Sequence, residues 1–281
     1  MSTLARRRTR PHLLALGLLF ALLVQLVLVG PTRQVGASPP DAEPDLEGTP
    51  NLQVRNNLGR QWVIKDEAME AGSCQVVEGN ITPGTRRVLR FTVMVANVGD
   101  ADINVGDPNE HVESGSNLFE FAECHQHYHF RNYALYELID ASTGQVWRAA
   151  KAGFCMIDTD PNPAWLGTPP GPAYYASCGG VGRPGNQGIS AGWTDTYRFD
   201  LQGQFFVLDG GDGQAPVPAG RYLLRITANP PYAPTPDNPC RYEDPQGLCH
   251  ALPESNYSDN AYAAEISIPD HLGRGGHGPL S

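Results

Sequence analysis

The chain has 281 residues, with 30 acidic and 20 basic side chains and a formal net charge of −10. Five arginines lie before residue 38, where no acid occurs, so removing that segment takes the net charge from −10 to −15. Such acidity argues against nucleic acid as a partner. It either attracts cationic partners, amines included, or serves solubility alone.

Residues 1–37 predict an export signal. Four arginines precede the apolar run Leu13–Val29, and small residues end the segment before Ser38. The run is long enough that an uncleaved single-span anchor is the alternative. We therefore expect an extracytoplasmic protein, secreted if the signal is cleaved and held at the cell surface if it is not. A membrane contact is expected only in the second case.

The rest of the chain is predicted to be a linker, one domain and a tail. Residues 38–50 are rich in proline and acid, as linkers are. The segment 51–270 is the expected catalytic domain, since about 240 residues suit one all-β domain or two small ones. Glycines dominate 271–281, which predicts a flexible tail with solvated histidines.

Short alternating segments separated by Gly, Pro and Asn dominate the domain, although one helical turn is possible at Glu67 to Ala71. The predicted strands are 88–96, 133–140, 146–149, 154–157, 195–201, 205–208, 220–228 and 261–268. This pattern predicts an all-β, sandwich-like single domain. Two long loops, 158–192 and 229–259, are expected to be functional or held by disulfides.

Six cysteines, all beyond residue 73, indicate an oxidising compartment. They allow fifteen pairings. Cys240 and Cys249 are close enough in sequence to form a local link. No CxxC motif occurs, which argues against a thiolate zinc site.

The segment Cys124-His-Gln-His-Tyr-His129 carries the clearest chemical signal. His125, His127 and His129 lie at i, i+2 and i+4, and a strand turns alternate residues to one face. Three imidazoles on one face predict a site for copper, zinc, iron or nickel. Three unrelated surface histidines are the alternative. The histidines alone do not choose between redox chemistry and hydrolysis.

Lysine is scarce, since only Lys65 and Lys151 occur. Lys151 lies among small apolar residues ahead of Phe154, and an apolar setting lowers the pKa of a lysine because its charged form loses hydration. A neutral amine is a nucleophile. An ordinary surface lysine between two strands is the alternative.

Taken together, these motifs resemble the catalytic domain of the lysyl oxidase family. The histidine segment is followed by a strand and then by Lys151-Ala-Gly-Phe-Cys155. Further similar segments are Arg86–Phe91, Gly185–Ser190, Thr194–Arg198, Pro218–Pro230 and Glu254–Asn260. The similarity runs in order from about Pro44 to Ile268, so it covers the whole predicted domain.

The resemblance implies a copper amine oxidase. The three histidines match the family's copper ligands, and Lys151 and Tyr197 match the pair that is cross-linked into lysine tyrosylquinone. Such enzymes use oxygen to convert primary amines, including protein lysine side chains, to aldehydes with release of ammonia and hydrogen peroxide. Asp195 matches an aspartate proposed to accept the substrate's proton. A strand-edge aspartate bonded to backbone is the alternative.

The resemblance also implies a calcium site, since some members of the family hold calcium near the two ends of the domain. The matching residues are Asp45, Leu46, Glu254, Asn256, Asp259 and Asn260. The family pattern has an aspartate at the position of Asn256 and an asparagine at the position of Asp259, so the two residue types are exchanged here. Both side chains still offer oxygen ligands. A polar turn before the last strand is the alternative.

By resemblance, Cys124 pairs with Cys178. Cys74 and Cys155 match cysteines whose usual partners are missing here, and we expect them to pair with each other. The family's cysteine ahead of the tyrosine segment is replaced around Trp193. None of these departures removes a copper or quinone residue.

Three functions stay open at this stage. The first is an exported copper amine oxidase acting on primary amines or lysine-containing substrates. The second is a copper-binding surface protein of the same fold in which no quinone forms. The third is a zinc hydrolase that keeps a fourth coordination position open, but it leaves Lys151 and Tyr197 unexplained.

Overall fold

The computed structural model describes residues 49–54, 62–149, 151, 153–163 and 171–271. The predicted signal segment, nearly all of the predicted linker, the tail beyond residue 271, and Asp45 and Leu46 lie outside this part. By its internal contacts the chain divides into Met1–Pro44 and Asp45–Ser281, and every described residue belongs to the second unit.

Strands dominate the described part, which holds seventeen strands and two short helices. The strands are β1 Leu52–Val54, β2 Trp62–Met69, β3 Gly84–Phe91, β4 Val93–Asn97, β5 Ile103–Gly106, β6 Phe119–Ala122, β7 His127–Phe130, β8 Ala134–Asp140, β9 Val146–Arg148, β10 Asp160–Pro161, β11 Gln187–Ile189, β12 Trp193–Tyr197, β13 Phe205–Val207, β14 Gly220–Ala228, β15 Tyr242–Glu243, β16 Cys249–His250 and β17 Ala261–Ile268. Helix α1 (Cys74–Gly79) follows β2, and α2 (Pro108–Glu113) follows β5. The all-β prediction is confirmed. Neither helix is long and apolar enough to cross a membrane.

Three antiparallel sheets contain most of these strands. Their strand orders are β1-β4-β12-β10, β13-β3-β2 and β17-β14-β8-β9. The strand pairs β5–β11, β6–β7 and β15–β16 form smaller ribbons. Because β3 and β4 follow each other in the chain but belong to different sheets, the chain passes from one sheet to the next at Thr92.

One apolar core is shared by the three sheets. The inward-facing side chains of the strands form it, and Leu52, Phe91, Leu138 and Leu224 are fully buried there. Burying such a side chain contributes about 1.5–3 kcal/mol. Phe130, the last residue of β7, enters the same core. The core therefore anchors the hairpin that carries the histidines.

Two predicted strands are broken up, and a third, 195–201, is shortened because β12 ends at Tyr197. The predicted strand 88–96 is split at Thr92, which is buried and accepts a hydrogen bond from the backbone N–H of Phe199 at 3.1 Å. The predicted strand 154–157 is reduced to a single bridge between Phe154 and Phe130. In both places a contact distant in sequence overrides the local alternation.

The helical turn considered at Glu67 to Ala71 is wrong. Glu67 lies in β2, which pairs with β3 over its full length. The guanidinium of Arg90 donates to both carboxylate oxygens of Glu67, at 2.6 and 2.7 Å. The polar run Lys65-Asp66-Glu67 hides the strand from a pattern search, although Arg87 and Arg90 of β3 balance its two carboxylates.

Two of the three predicted disulfides are wrong. Cys124 does not pair with Cys178, nor Cys74 with Cys155; instead Cys74 pairs with Cys124 and Cys155 with Cys178, each with a Cα separation of 5.4 Å. The reason is that α1 packs against the loop ahead of the histidines, which brings Cys74 to Cys124. The pair Cys240–Cys249 is confirmed, with a Cα separation of 5.2 Å.

Candidate functional site

The three histidines lie at the turn end of the β6–β7 hairpin and not on one strand. Strand β7 begins at His127, so only His127 and His129 are strand residues that share a face. His125 lies in the connection between the strands. Gln126 has a left-handed backbone, with φ of 57°, and this turn returns His125 to the side of the other two. The expected single strand is wrong, but the three rings are neighbours.

The ring spacings suit a shared metal ion. The centroids of His127 and His129 are 4.9 Å apart, and that of His125 is 5.5 Å from each. The two Nε2 atoms of His127 and His129 are 3.1 Å apart, which is also the length of a hydrogen bond between the rings. Imidazole nitrogens bind zinc at about 2.0–2.1 Å. Two such nitrogens that bind one ion with an N–metal–N angle near 90° therefore lie about 3 Å apart.

Both strand histidines are held in the neutral form. Burial lowers the pKa of His129 to about 3, and the charge of Lys151 adds to the effect. Burial also lowers the pKa of His127, with the charge of His125 as the next cause. Neutral imidazole is the form that binds metals, so these two rings need lose no proton to do so.

His125 has a different environment. Its Nδ1 is shielded from solvent and lies 2.6 Å from Oε2 of Glu78, off the direction of a well-formed hydrogen bond. Its Nε2 is the nitrogen left for a metal. No three His, Cys, Asp or Glu side chains in the described segments form a ready-made metal cluster.

Gly153 permits the close approach of the lysine segment to the histidines. A Cβ at this position would lie 2.7 Å from the Cβ of His129. Next to it, the N–H of Phe130 donates to the carbonyl of Phe154 at 2.6 Å. This bridge fixes Lys151 and His129 on adjacent segments.

Lys151 and Tyr197 lie side by side although they are far apart in sequence. The Nζ atom of Lys151 is 5.2 Å from the ring centroid of Tyr197 and 5.0 Å from that of Phe154. The rings of Phe154 and Tyr197 meet edge to face, with centroids 5.2 Å apart. The hydroxyl of Tyr197 donates to the carbonyl of Cys155 at 2.7 Å. Amine and phenol are thus held in a defined arrangement.

The amine of Lys151 is easier to deprotonate than that of an ordinary lysine. Burial lowers its pKa to about 8, although the charges of Asp195 and Glu78 act in the opposite direction. At pH 7 about one such amine in ten is neutral, against about one in a few thousand for an unperturbed lysine. The lysine is therefore prepared to act as a nucleophile.

Asp195 lies in the core beside Tyr197. It is only 1% exposed, and burial raises its pKa well above the ordinary value, although the nearby hydroxyls of Tyr133 and Tyr197 and the charge of Lys151 oppose the shift. Its Oδ2 has no well-directed hydrogen bond. A carboxyl with a raised pKa suits proton transfer near neutral pH. Asp195 is not among the residues that line the cavity beside the histidines and Lys151.

A cavity of about 370 Å³ lies beside two of the histidines and Lys151. His125, His129, Lys151 and Gly153 line one side of it. The remaining walls include the apolar side chains of Val77, Ile81, Phe121 and Phe205 and the carboxylates of Glu78, Glu120 and Glu123. The cavity beside His125, His129 and Lys151 is therefore partly apolar and partly acidic.

Glu254, one of the calcium candidates, serves as a hydrogen-bond acceptor for three segments. It accepts from the N–H of Leu52 at 2.6 Å and from the side-chain amides of Asn229 and Asn260 at 2.6 and 2.7 Å. Burial raises the pKa of Glu254 to about 7, although these donors oppose the shift. Its carboxylate oxygens are thus already occupied by N–H groups.

The other candidates in this loop differ from one another. Asn256 accepts from Ser258 within its own turn, at 3.0 Å. Oδ1 of Asp259 and Oδ1 of Asn260 are buried without a hydrogen-bond partner. Two such oxygens fit part of a calcium ligand set. The geometry therefore favours Asp259 and Asn260 over Glu254 and Asn256.

Sequence reasoning missed Glu78 and Gln187. Gln187 is fully buried, and its amide donates to the carbonyls of Tyr128 and Cys178, at 2.9 Å each. It thereby ties β7 to the Cys155–Cys178 link. The sequence pointed to the segment of Gln187 only through the family resemblance. Nothing in the sequence pointed to Glu78, because its partners Cys124 and His125 are distant from it along the chain.

The described part of the chain is thus an all-β domain in which three neighbouring histidines lie beside a lysine–tyrosine pair. The lysyl oxidase family model matches residues 61–238, which is more than half of the chain. This chain belongs to the lysyl oxidase family.

Individual relatives agree with the family assignment. The chain is 29% identical to protein-lysine 6-oxidase of Sus scrofa over 188 residues, which cover 66% of this chain and 59% of the relative. It is 27% identical to lysyl oxidase homolog 2 of Gallus gallus over 205 residues, covering 70% and 23%. It is 31% identical to lysyl oxidase homolog 3B of Danio rerio over 150 residues, covering 53% and 16%. The chain spans less than two thirds of each of these relatives.

Proposed function

We propose that this protein is an exported copper-dependent amine oxidase whose quinone cofactor forms from Lys151 and Tyr197. The observation that supports the proposal most is the position of the Lys151 amine, 5.2 Å from the centroid of the Tyr197 ring. A metal site for hydrolysis has no need of an activated lysine held against a buried tyrosine.

The proposed copper ligands are His125, His127 and His129. Imidazole suits copper, and His127 and His129 are held neutral by burial. Copper bound there, with oxygen, would supply the oxidation of the Tyr197 ring to a quinone, and the quinone joined to Lys151 would supply the electron sink for amine oxidation.

The chain's own residues orient the reacting groups. Phe154 contacts both partners and keeps the Lys151 amine over the ring of Tyr197. The carbonyl of Cys155 holds the Tyr197 hydroxyl. Asp195, buried beside the ring with a raised pKa, is the proposed acceptor of the substrate's proton.

The proposed substrates are primary amines, among them lysine side chains, and the products are an aldehyde, ammonia and hydrogen peroxide. Oxygen is the second substrate. The name of one relative, protein-lysine 6-oxidase, supports a lysine substrate, and the net charge of −10 favours cations over nucleic acid. Three disulfides fit an oxidising, extracytoplasmic compartment.

Calcium is a second proposed cation. The buried Oδ1 atoms of Asp259 and Asn260 lack hydrogen-bond partners and would gain one in a cation. Asp45 and Leu46, which the family resemblance assigns to the same ion, lie outside the described residues.

The cross-link itself tests the proposed function. We expect a tryptic digest of aerobically copper-loaded protein to contain one joined peptide with both Lys151 and Tyr197. Lys151→Arg should bind copper with unchanged affinity, because no histidine is altered, yet give no joined peptide, no quinone stain and no peroxide from a panel of primary amines. The matched control is Lys65→Arg, since Lys65 is 47% exposed and pairs with Glu67 away from the cavity.

Unlinked peptides from a wild-type sample that holds copper would contradict the oxidase. That outcome would leave the second candidate, a copper-binding surface protein of the same fold without the quinone.

A further inference from the structure

Helix α1 makes two connections to the histidine loop. Cys74, its first residue, is joined by a disulfide to Cys124, which directly precedes His125. One helical turn later, Oε1 of Glu78 accepts from the N–H of Cys124 at 2.8 Å. The other oxygen of the same carboxylate lies 2.6 Å from Nδ1 of His125. Both oxygens of Glu78 are thus directed to one loop.

We propose that Glu78 is a positioning residue for the metal site. By holding Nδ1 of His125, it turns Nε2 of that ring toward the rings of His127 and His129. The proposal rests on the proposed copper ligands and not on the quinone or the oxidation of amines.

His125 is the ligand that needs such support. His127 and His129 are fixed by ladder pairing with Ala122 and Glu120. His125 lies in the connection and its side chain is 24% exposed, so the backbone alone fixes its ring less well. A carboxylate on the non-ligating nitrogen of a metal-binding histidine orients the ring and raises its basicity, and its removal weakens metal binding about 10- to 100-fold.

The cavity offers a matched control for charge. Glu123 also lines it and is exposed at the surface, next to Cys124 in sequence. Removing either carboxylate takes one negative charge from the same region. Of these two carboxylates, Glu78 is the one that forms an ion pair with His125, so the two variants separate the contact from the charge.

The experiment measures copper(II) affinity by competition with a chromophoric chelator and records the copper EPR spectrum, with the disulfides intact. A Lys151→Arg background keeps quinone formation out of the measurement. Glu78→Ala should bind copper about 10- to 100-fold more weakly, with altered EPR parameters. Glu78→Gln retains an acceptor oxygen and should recover part of the affinity, whereas Glu123→Gln should match the background.

Thermal unfolding of the metal-free proteins distinguishes positioning from folding. Glu78→Gln should unfold at the background temperature and still bind copper more weakly. Equal affinity and unchanged spectra for Glu78→Ala would overturn the proposal, as would an equal loss in Glu123→Gln. If the background protein binds no copper at all, the histidine site fails and the proposed function fails with it, so that failure is distinguishable from an error about Glu78 alone.

Discussion

Gly153 is the residue on which the closeness of the lysine segment to the histidines depends. We expect Gly153→Ala to destabilise the fold by about 1–3 kcal/mol, the usual effect of overpacking, because its Cβ would meet the backbone-proximal Cβ of His129 at 2.7 Å. Copper affinity should fall as well, since His129 has to shift. Chemical unfolding and chelator competition measure the two effects.

Gly72→Ala is the control, because nothing lies within 4 Å of a Cβ built there. An unchanged unfolding midpoint in Gly153→Ala would show that the two segments have room to separate.

For single residues, the sequence predicts which residue types are reactive but not how their side chains are arranged in space. Lys151 stood out because lysine is rare and its neighbours are apolar. The position of His125 was not predictable, since it depends on a left-handed backbone at Gln126, and glutamine is not a residue type that signals positive φ. Glu78 reaches His125 only through the fold.

Among the elements, the link between α1 and the β6–β7 hairpin matters most for the site. We expect Cys74→Ala/Cys124→Ala to lose roughly 4 kcal/mol of stability in the chain-entropy model, since the link closes a long loop. It should also lose copper affinity, because Cys124 adjoins His125. Denaturant unfolding and chelator competition measure the two quantities.

Cys240→Ala/Cys249→Ala is the comparison. Its short loop should contribute only about 3 kcal/mol, and its copper affinity should be unchanged. If both double variants bound copper equally well, the link would serve stability alone.

Strands with clear alternation, such as β8, β14 and β17, could be predicted because one face of each is buried. Strand β2 could not, since Lys65-Asp66-Glu67 interrupts its alternation and the basic partners of the two carboxylates, Arg87 and Arg90, lie on β3. The disulfides were assigned wrongly because a pairing depends on which loops pack together, as α1 and the Cys124 loop do, and spacing carries no such information.

At the scale of the whole molecule, Arg90 connects strand β2 to the loop that follows β12. Its side chain is 4% exposed and donates to both carboxylate oxygens of Glu67. It also donates to the carbonyls of Phe199 and Leu201, at 2.9 and 2.8 Å. We expect Glu67→Gln to lower the free energy of unfolding by about 3 kcal/mol at pH 7, because it leaves a buried guanidinium without its counter-charge. Urea unfolding measures the change.

The same pair predicts a pH dependence. Burial by itself raises the pKa of Glu67, but Arg90 and Lys65 outweigh it and hold the pKa below the ordinary 4.5. The stabilisation is therefore present above pH 4.5 and is lost as the pH falls through the lowered value. The difference between wild type and Glu67→Gln should shrink in that acid range. Glu265→Gln, whose partner Arg221 is 72% exposed, should change stability little at any pH.

The all-β architecture of the whole molecule was predictable, because the alternation of apolar and polar residues can be read from neighbouring positions in the sequence. The cavity was not, since α1, β6 and the 202–205 segment come from three distant parts of the chain.

The Cys74–Cys124 link also makes the connection between helix and hairpin chemically reversible. While the chain is reduced, no disulfide holds α1 and Glu78 against the histidine loop. On the proposed copper site, oxidation of these two thiols would therefore precede full-strength metal binding, so the order of the two events would depend on the redox state of the surroundings.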